Sequence, residues 1–175
     1  MKMNEVMKCL LERRSCRSYL PKQVEDEALE QILLAGTYAP SGMARQPVKI
    51  VVLQDPKAIE ELETMNAAIM GREGTHPFYG APTVCVVLYD TEVYTALEDA
   101  SLVMGNMMNA AHSLGVASCW IHRAKQEFDS PEGKALLKKW GIPETYAGCG
   151  HCILGYADGP CRPAIPRKDD YIIRP

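Results

Sequence analysis

A long helix-forming stretch, residues 91–114, most restricts the fold that this chain can adopt. Small and apolar side chains recur along it at helical spacing and surround much of its circumference: Leu97, Ala100, Ser101, Met104, Met107, Met108 and Ala111. A helix that is apolar on most sides is buried, and Gly115 ends it as a C-terminal cap residue does. The sequence therefore predicts a central helix around which the other elements pack.

Amphipathic helices and apolar strands alternate on both sides of this helix. Apolar residues three or four positions apart predict helices, and runs of β-branched residues predict strands. The predicted helices are residues 3–14, 25–38, 55–70, 91–114 and 130–140, and the predicted strands are residues 48–53, 83–89, 116–121 and 148–155. By itself, this alternation favours a doubly wound α/β sheet.

The composition is that of an ordinary globular protein, and we expect one domain over residues 1–175. Hydrophobic residues make up 47% of the chain and charged residues 23%, enough for a sizeable core. The net charge of -3 argues against a general nucleic-acid binder. Neither a signal peptide nor a membrane-spanning run is predicted, so we expect a cytoplasmic protein with seven free cysteines and no membrane partner.

Three arginines and two serines lie within residues 13–19, directly after the first predicted helix. A guanidinium is a rigid fork of donors that matches two phosphate oxygens at once. The segment therefore predicts a phosphate-binding site. Basic residues at a helix C-terminus are also favoured by the helix macrodipole, so a solvated helix end is the alternative interpretation.

Two further segments have the character of binding loops. Residues 39–47 are bracketed by Pro40 and Pro47 and carry polar donors between them, and a stiff loop holds a ligand at low entropic cost. Residues 71–80 are irregular and rich in glycine, which is typical of a flap.

Five segments in order resemble the nitroreductase family, in particular its short FMN-dependent members. They are Arg-Arg-Ser-Cys-Arg-Ser-Tyr at 13–19, Ala-Pro-Ser-Gly-Met-Ala-Arg-Gln-Pro at 39–47, Ala-Pro at 81–82, Gly-Val-Ala-Ser-Cys-Trp-Ile at 115–121 and Leu-Gly-Tyr at 154–156. The resemblance implies an α+β fold: a mixed, mostly antiparallel sheet of four to five strands surrounded by helices. It also implies an intertwined homodimer with FMN at the interface.

The same resemblance assigns cofactor-binding residues in three groups. The residues expected at the FMN phosphate and ribityl chain are Arg13, Arg14, Ser15 and Arg17, joined by the late basic pair Arg167 and Lys168. The residues expected to approach the isoalloxazine ring from the partner subunit are Pro40, Ser41, Met43 and Gln46. Near the other face of the ring we expect Trp120 and Ile121.

Two positions depart from the family pattern. The family often has asparagine where this chain has Ala44, so we expect a hydrogen bond to the flavin edge or ribityl chain to be missing and the redox tuning to differ. The tryptophan frequent after Gln-Pro is Val48 here, a packing change.

The activity implied by the resemblance is a ping-pong reaction. NADH or NADPH gives a hydride to the flavin, and a nitroaromatic, a quinone or another electron-poor acceptor then takes the electrons. Because the flavin carries the chemistry, no side chain is predicted to be catalytic. Two alternatives share the scaffold: an FMN storage or sensing protein, and a flavin-modifying or reductive-dehalogenating relative.

A Cys-x-x-Cys pair at Cys149 and Cys152 invites a metal or redox interpretation. Such a pair is only half of a metal site, and no second matched pair occurs in the sequence. It also falls in a predicted buried strand, where cysteines act as small hydrophobic residues. We therefore predict no metal site.

Overall fold

The computed structural model describes residues 3–175. In chain order its helices and strands are α1 (Glu5–Glu12), α2 (Asp26–Thr37), β1 (Val48–Leu53), α3 (Pro56–Ile69), β2 (Thr83–Asp90), α4 (Ala96–Ser113), β3 (Ala117–Ile121), α5 (Ala124–Asp129), α6 (Pro131–Lys139) and β4 (Tyr146–Gly155). Single 3₁₀ turns occur at Gly42–Ala44 and Asp169–Tyr171. Within residues 3–175, no helix has both the length and the hydrophobicity that a membrane crossing requires.

The four strands form one sheet in the order β1-β2-β4-β3, and each neighbouring pair is antiparallel. The expected α+β architecture is confirmed, and the doubly wound alternative is wrong. The position of β4 in the sheet produces the antiparallel arrangement. Since β2 and β3 are both antiparallel to β4, they point the same way, and the last strand of the chain separates the two strands that α4 connects.

Two hydrophobic cores lie on opposite faces of this sheet, and β2 contributes to both. Val84, Val86 and Leu88 point into one core, while Cys85 and Val87 point into the other, as strand alternation requires. Helices α2 and α4 cover the face with Cys85 and Val87, and α3, α5 and α6 cover the face with Val84, Val86 and Leu88. The continuously apolar sequence of β2 thus reflects burial on both sides.

The predicted central helix is α4, and its burial is confirmed. Met104 and Met107 are fully buried, and a side chain at Gly36 of α2 would come within 2.8 Å of Met107 Cγ. The helix begins at Ala96 and not at residue 91. The preceding turn is held by Thr91, whose N–H and hydroxyl both donate to the carbonyl of Thr145 at 3.0 and 2.7 Å.

Helix α5 is absent from the sequence-based expectation. It has six residues, too few for a periodic pattern to stand out, and its N-cap residue, Arg123, adopts a positive φ of 80°. Its Phe128 is fully buried and lies 5.7 Å from the ring of Trp140, so tertiary packing forms this helix.

Apolar side chains at both ends of the chain remain exposed in the single subunit. Helix α1 has no buried residue, and its predicted apolar face is between 46% and 68% exposed at Val6, Met7, Leu10 and Leu11. In the C-terminal tail, the large apolar side chains are between 72% and 82% exposed: Ile165, Tyr171, Ile172 and Ile173. Exposed apolar surface of this extent marks an interaction surface.

Candidate functional site

The arginine-rich segment that follows α1 runs along one end of the sheet. Cys16 N–H donates to the carbonyl of Ser118 in β3 at 2.9 Å, and Leu20 N–H donates to the carbonyl of Tyr156 at 2.9 Å. The segment can bond there because β3 is an edge strand with one free side. These backbone hydrogen bonds fix the position of the arginine backbone relative to the sheet.

A cleft with a volume of 650 Å³ opens beside this segment. It is lined by five arginines, one serine and three tail residues: Arg13, Arg14, Arg17, Arg162, Arg167, Ser15, Pro163, Ala164 and Ile165. No carboxylate occurs among the described residues that line it. The two ends of the chain therefore meet in one strongly positive cleft, called the arginine cleft below.

The hydrogen bonds of the arginines bear on the two interpretations of the segment. Arg14 Nη1 donates to the carbonyls of Leu11 and Arg13, both at 2.7 Å, so Arg14 caps the end of α1. Arg13 Nη1 is buried and has no hydrogen-bond partner in residues 3–175. None of the cleft arginines forms an ion pair with a carboxylate of the described chain. A solvated helix end accounts for Arg14 only, whereas a bound phosphate would satisfy Arg13.

The tail supplies one predicted basic residue to the cleft and one that was not predicted. Arg167 lines the arginine cleft and also a neighbouring cavity of 320 Å³, where Lys168 lies. Arg162 lines the cleft as well, and sequence analysis missed it. The available signal was its position five residues before Arg167, in an exposed tail without regular structure.

The loop between α2 and β1 encloses a second, smaller pocket of 160 Å³. Pro40, Ser41 and Gln46, three of the residues predicted to approach the ring, line this ring-side pocket. The fourth, Met43, is 85% exposed beside it. Trp120 packs on the face of the sheet that α2 and α4 cover, in contact with Gly150, where a side chain would collide with the indole.

Ile121 lies on the opposite face of the sheet from Trp120. It is 6% exposed and packs in the core formed with α3, α5 and α6. A contact between Ile121 and a ligand on the Trp120 side would therefore use its backbone rather than its side chain.

Asp99 is a buried carboxylate in the ring-side pocket that sequence analysis missed. Its Oδ1 accepts a hydrogen bond from Gly42 N–H at 3.0 Å, and its Oδ2 accepts one from the Thr95 hydroxyl at 3.2 Å. Asp99 thus ties the loop to the first turn of α4. The signal was an acidic residue adjacent to Ala100 in the predicted apolar stripe, where an acid needs partners.

Comparison with known proteins decides the family. Residues 10–156 match the nitroreductase family. The chain belongs to the nitroreductase family. The FMN reductase (NAD(P)H) of Bacillus subtilis is 32% identical over 192 aligned positions, which cover 97% of this chain and 76% of that protein.

Solved nitroreductase structures share the whole fold. The crystal structure of a nitroreductase with bound FMN from Bacteroides fragilis has a TM-score of 0.91 and 32% identity, covering 98% of this chain and 99% of that one. A nitroreductase with bound FMN from Desulfitobacterium hafniense has a TM-score of 0.88 and 31% identity, covering 99% of both chains.

In this nitroreductase most of the predicted residues line two separate cavities, whereas Met43, Trp120, Ile121 and Lys168 line neither. Residues expected at the FMN phosphate line the arginine cleft, and residues expected at the isoalloxazine ring line the ring-side pocket. The two cavities share no residue. One chain therefore holds two separate sets of predicted residues, called half-sites below, and neither set contains all of them.

Proposed function

We propose that this nitroreductase binds FMN, takes reducing equivalents from NADH or NADPH, and passes them to an electron-poor acceptor such as a nitroaromatic or a quinone by a ping-pong mechanism. The observation that carries the proposal is the arginine cleft, with the buried, unpartnered guanidinium nitrogen of Arg13. Relatives that are 31% and 32% identical contain FMN in their crystal structures, which supports the choice of anion.

The residues of the chain fit the phosphate end of this cofactor. Arg13, Arg17 and Ser15 supply guanidinium and hydroxyl donors from the first segment, and Arg162 and Arg167 supply them from the tail. Together they neutralise a dianion without a glycine-rich phosphate loop. We extend the proposal to Lys168, which lies in the cavity that adjoins the cleft at Arg167.

The ring-side residues fit the other end. Ser41 and Gln46 present polar groups at the rim of a pocket whose walls, at Val48 and Ile50, are apolar. When bound, FMN supplies the redox chemistry: it accepts a hydride from the nicotinamide and delivers electrons to the second substrate. The protein binds and orients the cofactor.

We also propose that the working molecule is a homodimer in which each site takes residues from both subunits. Two observations support it: the half-sites of one chain are separate, and the apolar face of α1 and the apolar tail residues are exposed. A second copy of the chain would cover this surface and bring an arginine cleft to a ring-side pocket.

Anaerobic stopped-flow absorbance tests the activity. NADH or NADPH should bleach the flavin band of the holoenzyme, and a nitroaromatic or quinone added afterwards should restore it. Reoxidation without nicotinamide present shows the ping-pong order. Bleaching that is equally slow with both nicotinamides would contradict the enzyme proposal and favour FMN storage or sensing.

Replacement of two cleft arginines tests the phosphate assignment. Arg13→Ala with Arg17→Ala should weaken FMN binding about 100-fold or more, because each lost charge-assisted contact costs about 1.5–3 kcal/mol. Fluorescence titration of FMN with apoprotein measures the dissociation constant. Lys125→Ala with Lys138→Ala removes the same charge from the exposed surface of α5 and α6 and should leave the constant unchanged. Full FMN retention by the arginine variant would remove the basis of the assignment.

A further inference from the structure

Cys16 and Cys161 line one cavity of 230 Å³ that adjoins the arginine cleft through Ser15, Arg17 and Arg162. Both residues are free thiols. Cys16 is 4% exposed, whereas Cys161 lies on the exposed tail. The proposed function uses neither of them.

Backbone pairing brings the two cysteines together. Tyr19 and Ala157 form an antiparallel bridge, and Asp158 N–H donates to the carbonyl of Ser18 at 3.0 Å. In an antiparallel pair, a step back along one segment matches a step forward along the other. Continuing this register places Cys16 opposite residues 160–161, next to Cys161.

The thiols also influence each other. Partial burial and then the neighbouring Cys16 thiol raise the pKa of Cys161. The Cys16 thiol donates to the carbonyl of Ser18 at 3.1 Å, and Cys16 packs against the core while also lining the cavity that it shares with Cys161. Closeness of two sulfur atoms is the first requirement for a disulfide.

The other cysteines lack these features. Burial raises the pKa of Cys85 to about 12, and Cys119, Cys149 and Cys152 are also buried in the two cores. Cys9 lies on α1, where its thiol donates to the carbonyl of Asn109 at 3.2 Å. Cys161 is therefore the exposed thiol of the described chain, and Cys16 is placed to react with it.

We propose that Cys16 and Cys161 form a reversible disulfide that ties the C-terminal tail to the phosphate-binding segment and thereby slows cofactor release. The tail carries Arg162 immediately after Cys161, and Arg167 five residues further on. Closing this long loop holds both guanidiniums at the cleft. The effect on release rests on the proposed binding of FMN, whereas formation of the bond does not.

The oxidant is a hydroperoxide, with hydrogen peroxide as the probe. The Cys161 sulfur attacks the peroxide, the O–O bond breaks, and a sulfenic acid and one water result. The Cys16 sulfur then attacks the sulfenic sulfur, the S–S bond forms, and the oxygen leaves as a second water. Two thiols thus give two electrons and two protons to one peroxide, and a reducing dithiol reverses the change.

Peptide mapping by mass spectrometry tests the bond on the full-length holoenzyme. After peroxide treatment and alkylation, we expect a crosslinked peptide pair containing Cys16 and Cys161, lost on reduction with dithiothreitol. Recovery of flavin fluorescence after dilution measures FMN release, which we expect to slow roughly fivefold in the oxidised protein and to recover on reduction.

Variants and outcomes separate this proposal from the previous one. Cys161→Ser, at an exposed position, should abolish both the crosslink and the change in release. Cys9→Ser is the matched control and should behave as the unaltered protein. Peptide mapping detects the disulfide whether or not FMN is bound. The test of the disulfide therefore stands even if the Arg13→Ala, Arg17→Ala variant binds FMN normally. The proposal would be overturned if no crosslink formed, or if a non-reducing gel showed that the crosslink joins two subunits. It would also be overturned if FMN release were equally fast with and without the crosslink.

Discussion

The loop at residues 42–46 holds three non-glycine residues in the left-handed region of backbone space. Met43, Ala44 and Gln46 have φ values of 54°, 53° and 49°. Such conformations cost on the order of 1–3 kcal/mol each and persist only where other contacts impose them. Here Ser41 Oγ accepts from Gln46 N–H at 3.2 Å, and Asp99 holds Gly42. Strain concentrated beside a pocket is typical of a ligand-binding segment.

Ala44 tests what the departure from the family pattern does. Asparagine tolerates a positive φ better than alanine, so Ala44→Asn should stabilise the protein by up to about 1 kcal/mol and tighten FMN binding. Ala44→Gly relieves the same backbone strain but adds no amide. Urea unfolding and FMN titration measure both quantities.

The comparison of the two variants isolates the amide. If Ala44→Asn binds FMN more tightly than Ala44→Gly at equal stability, the asparagine amide contacts the cofactor. Equal affinity of the two variants would show that the missing hydrogen bond has no role.

At the scale of elements, a buried polar network ties β4 to α3 and α5 on one face of the sheet. His151 Nε2 lies 2.5 Å from Glu127 Oε2 of α5, and Asn66 Nδ2 of α3 donates to Glu127 Oε1 at 2.5 Å. His151 and Glu127 are both fully buried. The ring of His151 also lies 5.1 Å from Phe78, whose N–H donates to Glu63 at 2.7 Å. The network therefore anchors the end of the 71–80 segment to the sheet.

Glu127→Ala should destabilise the protein by about 3–5 kcal/mol, because it leaves His151 buried without its partner and removes one hydrogen bond of Asn66. Urea unfolding followed by circular dichroism measures the change in the free energy of unfolding. Glu132→Ala, in the exposed first turn of α6, should change it by less than about 0.5 kcal/mol. A loss below about 1 kcal/mol for Glu127→Ala would mean that this network adds little to stability.

At the scale of the whole molecule, the proposed sharing of each site between two subunits would make assembly part of function. The arginine cleft and the ring-side pocket belong to different cavities of one chain. If two chains complete each site, two defects placed in different half-sites compensate each other in a mixed dimer. One of its sites then carries both defects and the other carries none.

Mixed dimers test this directly. One subunit carries Arg13→Ala with Arg17→Ala, and the other carries Gly42→Ala, whose new side chain would collide with the Thr95 hydroxyl and displace the loop. Co-expression with two different affinity tags isolates the mixed species. We expect FMN and activity at one site of each mixed dimer and neither in the parent homodimers. A mixed dimer as empty as its parents, or a monomeric mass with bound flavin in light scattering, would contradict a shared site.

Much of the fold follows from local patterns. The continuous apolar run of β2 predicted a strand, and the periodicity of α4 predicted a central helix, because each pattern reports the surroundings of its own side chains. For the site, the arginines of 13–17 and the stiff loop at Pro40 were identifiable because their chemistry is concentrated in short segments. The short α5 and the turn before α4 were missed, since tertiary contacts stabilise them.

The sequence by itself determined the type of each long element, the basic segment after α1 and the family resemblance that orders the motifs. Only the tertiary structure decided that β4 enters between β2 and β3, that Arg162 reaches the cleft and that Asp99 holds the loop. The physical reason is distance along the chain. Periodicity and turn chemistry act over a few residues, whereas strand order and the meeting of residues 13 and 162 depend on how the whole core packs.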